Sequence, residues 1–128
     1  MSLRSPLGRA LNHGSAHYGV GHWWVQRVSA VALVPLTLWL LVSLLSLPSA
    51  DYAQVANWIA AGWNPVLLSL TLVIAAWHSH LGMQAIIEDY VHGFVLKTAT
   101  LLLSTFAHAL LAVAGVYAVL HLALRGAP

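Results

Sequence analysis

The chain has 128 residues, 60% hydrophobic and 6% charged, with a formal net charge of +2 and no cysteine. That composition lies far outside the globular range, so the solvent is a bilayer, and five scattered Lys and Arg exclude the clustered cations that nucleic acid requires. The lack of cysteine excludes disulfides, thiolate metal sites and iron–sulfur ligation by this chain, so any redox cofactor it holds is bound by histidine.

Residues 1–22 carry Arg4 and Arg9, three histidines, four glycines and no acidic residue, and read as a flexible cytoplasmic tail. An arginine-rich, acid-free end also suits an organellar transit peptide, but the segment lacks an amphipathic stripe, and a tail is favoured. Residues 23–125 form the membrane domain. Trp23 and Trp24 sit where an interfacial aromatic belt anchors a first span, and Arg27 lies just before an uncharged run. Uncharged runs at about 28–47, 64–87 and 98–124 each reach the roughly 20 residues that cross a hydrocarbon core, which gives an all-α membrane protein with three transmembrane helices in a larger helical bundle. Pro35 should kink the first span, and Pro48 ends it.

Between the first two spans, Tyr52, Val55 and Ile59 recur at helical spacing behind Asp51, as expected of a short helix lying in the interface. Asn64-Pro65 restarts the chain with proline in the first turn of span two. Basic residues precede span one and are missing from the loop at 48–63. The amino terminus is therefore placed inside, the segment Glu88 to Lys97 becomes an inner loop, and the carboxyl terminus lies outside.

The chemistry concentrates in one stretch, Trp77-His78-Ser79-His80-Leu81-Gly82 onward to Glu88-Asp89-Tyr90-Val91-His92. On a helix, Thr71, His78, Gly82, Ala85 and Asp89 fall on one stripe within about 40° of His78, while His80 points about 200° away. Small residues around His78 let a helix or a bulky group approach its backbone, and an ionisable side chain in hydrocarbon is a candidate functional site. His78 lies ten residues before Glu88, about 15 Å along the helix. His108 in span three reaches a similar depth, with Ser104, Ala112 and Gly115 beside it. Intramembrane histidines suit three roles: a haem ligand, a proton-pathway residue, or a polar contact between helices. A six-coordinate haem takes two imidazoles, so His78 could pair with His108 or with a histidine of a second subunit.

The segment from His78 to His92, preceded by His22-Trp-Trp-Val-Gln-Arg-Val-Ser-Ala30 and set among three spans, resembles the hydrophobic membrane-anchor subunit of succinate dehydrogenase, respiratory complex II. The likeness covers residues 20–122, and its specific part is the histidine, the glycine four residues later, and Asp-Tyr at the helix end. The resemblance implies that His78 is an axial ligand of haem b, with the second ligand from a partner anchor subunit of the C type. It places Arg27 near the haem propionates and Tyr90 on ubiquinone. Asp89 beside Tyr90 is suited to orient the phenol or to relay a proton. His80 and His108 are not part of that ligand pattern. The expected role is to anchor a flavoprotein subunit and an iron–sulfur subunit to the bacterial cytoplasmic membrane, favoured over the mitochondrial inner membrane, with no flavin chemistry in this chain. The alternatives are a haem-free structural anchor, or a small b-type cytochrome or proton-pathway subunit of another respiratory complex.

Overall fold

The computed structural model describes residues 16–125, which form four helices: α1 (Ala16–Leu45), α2 (Tyr52–Ala60), α3 (Asn64–Tyr90) and α4 (Phe94–Arg125). Within them, Val20–Leu45, Asn64–Tyr90 and Phe94–Leu124 are long and apolar enough to cross a membrane. All three spans expected from the sequence are present, and each helix is longer than its uncharged run. The charge limits of a run mark where hydrocarbon ends, whereas an established helix continues for as long as each added residue gains a backbone hydrogen bond.

This extension corrects two boundaries. Residues 16–22, assigned above to a flexible tail, belong to α1, and His22 at the end of that segment is half-buried. Residues 1–15, with Arg4 and Arg9, lie outside the described residues. At the other end of the molecule's hairpin, the inner loop expected from Glu88 to Lys97 shrinks to Val91–Gly93. Gly93 there adopts φ +108, a conformation that side chains with a Cβ disfavour, and this lets the chain reverse in three residues. Lys97 folds back across the turn and donates from Nζ to the Glu88 carbonyl at 2.8 Å. A cation thus satisfies an orphan carbonyl at the C-terminal end of α3 and meets the negative end of its dipole.

α1 passes through Pro35 as one continuous helix. Two residues later the Thr37 hydroxyl donates to the Leu33 carbonyl at 2.6 Å. α2 is the short helix expected between the first two spans. Its N-cap is Asp51, whose carboxylate accepts from the Gln54 amide at 2.8 Å, and its Trp58 ring stacks on Trp39 of α1 at 5.8 Å between centroids. Pro65 occupies the first turn of α3, where its missing N–H leaves no further orphan.

α3 is the central element: α1 packs along one side of it and α4 along another, while α2 rests on α3 and α4. Gly115 of α4 permits the closest approach to α3, since a Cβ there would lie 3.1 Å from Leu72 Cδ1. The described residues bury little. Ala56, Leu81, Ile87 and Val119, with Ser29 and Thr71, make up the buried set, while Val31, Leu103 and Phe106 are among many large apolar side chains that stay exposed. Three helices in so open an arrangement turn most of their apolar surface outward, towards lipid and further helices.

Candidate functional site

Helical periodicity on α3 sends its two neighbouring histidines to different partners. His78 faces α1: its Nδ1 lies 2.9 Å from the Ser29 hydroxyl. His80 faces α4, where its ring lies 5.5 Å from the ring of His108 and 6.1 Å from Trp77 on its own helix. His78 thus engages α1, and His108 engages Ser79 and His80 of α3, so the two rings have different neighbours.

His108 is closed on both ring nitrogens. The Ser104 carbonyl, 2.7 Å from Nδ1, can only accept, so the proton resides on Nδ1; Nε2 then accepts from the Ser79 hydroxyl at 3.1 Å. The result is a histidine that bridges two helices, the polar contact that membrane bundles use to join apolar surfaces. His80 lines a cavity of about 230 Å³ with Val73, Ala76, Trp77, Thr105 and His108, and its Nδ1 is buried without a partner.

His78 differs from both. Its Nδ1 is engaged by Ser29, and no described residue bonds its Nε2. Ser29 is itself buried and donates to the Gln26 carbonyl at 3.0 Å, a common use of serine in a helix. One turn further along α3, a Cβ on Gly82 would lie 3.7 Å from the Gln26 amide nitrogen. The small stripe around His78 therefore serves first to admit α1, with Gln26 over Gly82 and Ser29 against His78. Thr71, at the other end of that stripe, is buried and donates to the Leu67 carbonyl at 2.7 Å. Above Ser29, an open cleft of about 430 Å³ between α1 and α3 is lined by Trp24, Val28, Ser29, Val73 and Trp77.

The remaining candidates are exposed, Arg27 on α1 beside Gln26, and Asp89 and Tyr90 at the C-terminal end of α3. Arg27 is exposed, with its guanidinium 5.5 Å from the centroid of the Trp23 ring, and no described carboxylate pairs with it. Asp89 and Tyr90 are also exposed, Tyr90 at 78%. No described residue hydrogen-bonds the Tyr90 phenol or the Asp89 carboxylate. Glu88 differs: it accepts from Gln84 at 2.8 Å. The fold thus brings His78 together with Ser29, and leaves Arg27, Asp89 and Tyr90 exposed, Arg27 near the level of Gly82 and the other two at the C-terminal end of α3.

The donor types present suit a haem, whose iron takes imidazole and whose propionates take guanidinium. An imidazole held through Nδ1 offers Nε2 to iron, and an unpaired guanidinium two residues from Ser29 offers a bidentate partner to a propionate. Three residues of this seam were given no role by the sequence alone. His22, Gln26 and Ser29 fall at i, i+4 and i+7 on α1, a polar stripe on a largely apolar helix, and that spacing was the available signal. In the fold His22 Nε2 and Gln26 Oε1 are buried without partners.

The family of succinate dehydrogenase and fumarate reductase transmembrane subunits matches residues 1–123. Succinate dehydrogenase hydrophobic membrane anchor subunits are among the relatives. That of Rickettsia conorii is 31% identical over 79% of this chain and 81% of its own, and that of Rickettsia bellii is 35% identical over 70% and 71%. The chain belongs to this membrane-anchor family. The anchor subunit of Paracoccus denitrificans, 29% identical, extends the match to 97% of the present chain and 95% of its own. No solved structure matches. As a member, the chain is a non-catalytic, multi-pass membrane subunit of the succinate dehydrogenase complex, and its outward apolar faces meet the bilayer and other subunits of that complex.

Proposed function

We propose that this anchor subunit supplies His78 as one axial ligand of a haem b whose other ligand comes from a second membrane anchor, and that it contributes Tyr90 and Asp89 to a ubiquinone site. The observation that carries the ligand choice is the state of His78, His80 and His108, the histidines along α3 and at similar depth on α4. Both nitrogens of His108 are engaged, and His80 faces α4, whereas His78 is fixed through Nδ1 and its Nε2 has no partner among the described residues. A ligating histidine ordinarily has its second nitrogen engaged in this way.

Haem b, when bound, would carry an electron within the membrane between the iron–sulfur side and the quinone. Arg27 supplies charge for the propionates, held near the inner end of α1 and directed outward. Tyr90 donates its phenolic hydrogen to a quinone carbonyl, and Asp89 next to it serves as the proton relay. Both face away from their own helix bundle, so the pocket closes against the second anchor and the iron–sulfur subunit, which with the flavoprotein complete the assembly. The amino terminus lies on the cytoplasmic side of a bacterial inner membrane and the carboxyl terminus on the opposite side.

The test of the ligand reading is a reduced-minus-oxidised spectrum with a pyridine haemochrome assay on the purified complex. A low-spin b-type haem lost on His78→Ala, and retained on His80→Ala and His108→Ala, is the expected result. A complex without b-type haem overturns the ligand assignment and leaves a structural anchor.

A further inference from the structure

We infer that Ser29 is a positioning residue for His78, which fixes the tautomer and the ring plane of the proposed haem ligand through a directed chain of hydrogen bonds, Nδ1–H of His78 to Oγ of Ser29 and Oγ–H of Ser29 to the carbonyl of Gln26. The inference rests on the reading of His78 as a ligand and says how the chain prepares it.

The argument is one of proton counting. A serine hydroxyl has one hydrogen and can accept as well as donate. Ser29 Oγ lies 3.0 Å from the Gln26 carbonyl and 2.9 Å from His78 Nδ1. The carbonyl can only accept, so its bond takes the hydroxyl hydrogen, and the contact with His78 must then be donated by Nδ1. With the proton on Nδ1, the lone pair of the neutral imidazole sits on Nε2, the nitrogen with no partner among the described residues. The opposite polarity would put the hydrogen on Nε2, block ligation there and leave the Gln26 carbonyl without the hydroxyl.

Packing holds the pair in place. Ser29 is buried, and the Gln26 side chain lies over Gly82 one turn from the bond, so α1 and α3 are in contact both there and at the bond itself. The ring of His78 is therefore restrained by two helices rather than by its own rotamer alone. Donation from Nδ1 also makes the imidazole a stronger electron donor, which favours the oxidised iron. His108 shows the contrasting arrangement within the same chain. Its Nδ1 proton goes to a carbonyl of its own helix, and its Nε2 is then consumed by Ser79.

The experiment uses the complete purified complex carrying Ser29→Ala or Ser29→Thr, with His78→Ala as reference. Three quantities are measured: the rate at which haem transfers to an excess of apomyoglobin, the midpoint potential by optical titration, and the low-spin electron paramagnetic resonance signal of the oxidised haem. For Ser29→Ala we expect haem affinity to weaken by about 10- to 100-fold, the range seen when a partner of a metal-bound ligand is removed. The midpoint potential should rise, and the resonance should shift or broaden as the ring loses its fixed plane. Ser29→Thr keeps the hydroxyl and should restore all three, which a simple packing role would not require.

Identical haem retention, potential and resonance in Ser29→Ala and the parent complex overturn the inference while leaving His78 as ligand. Loss in Ser29→Ala that Ser29→Thr fails to restore also overturns it. Retention of low-spin haem in His78→Ala defeats the ligand reading itself, and the inference with it.

Discussion

Replacing Tyr90 with phenylalanine isolates the quinone-side proposal from folding. The Tyr90 side chain is 78% exposed and its hydroxyl bonds no described residue, so removing that oxygen breaks no hydrogen bond among the described residues. The ring, and whatever it covers on a neighbouring subunit, is retained. The effect therefore reports what the phenol does to a bound molecule. One hydrogen bond to a neutral carbonyl is worth about 0.5–1.5 kcal/mol, which translates into a loss of about 2- to 13-fold in quinone turnover. A larger loss points to a second role for the hydroxyl in orienting the proton donor. The assay compares succinate:ubiquinone reductase activity with succinate oxidation by a dye that bypasses the membrane, on complexes of equal haem content. The expected result is a fall in the first and an unchanged second. Unchanged quinone turnover in both Tyr90→Phe and Asp89→Asn refutes the reasoning and makes Tyr90 an interfacial belt residue, with the quinone pocket built by the partner subunits.

Other consequences are equally direct. Reporter fusions should be active inside at the amino terminus and outside at the carboxyl terminus, because three spans put the ends on opposite faces; a carboxyl-terminal reporter active only in the cytoplasm contradicts this. Gly115→Leu should drive α4 away from Leu72 and lower the stability of the subunit by about 1–3 kcal/mol, read as reduced assembly and earlier thermal release from the complex, whereas Gly115→Ala needs only a small shift of the Leu72 side chain. Asp51 has a carboxyl held below its ordinary range, first by the Ser49 hydroxyl and then by the Gln54 amide. A depressed folded value means that the cap contributes above the unfolded pKa and fades as pH falls through the folded one. Amide protection at Gln54 should accordingly drop at acid pH in the parent, and stay flat in Asp51→Asn, which keeps a neutral acceptor.

Much of this molecule was legible in the chain itself. Uncharged runs of membrane-spanning length set the number of spans, because a bilayer charges a high free-energy cost for ionised groups and leaves few alternatives to helix. Asp51 before Tyr52 and Pro65 after Asn64 announced where two helices start, since both act within a single turn. The opposed directions of His78 and His80 followed from helical periodicity alone. What periodicity could not supply was the neighbour on each side. That Ser29 meets Nδ1 of His78, and that Ser79 closes His108, depends on which faces of α1 and α4 pack on α3, and those contacts join residues 49 and 29 positions apart. Helix ends were missed for a related reason: Lys97 reads as a loop charge until the turn at Gly93 carries it back to the Glu88 carbonyl. The sequence determines what crosses the membrane because each span answers to lipid by itself, and the tertiary structure decides which histidine keeps a nitrogen to offer because that depends on partners from other helices.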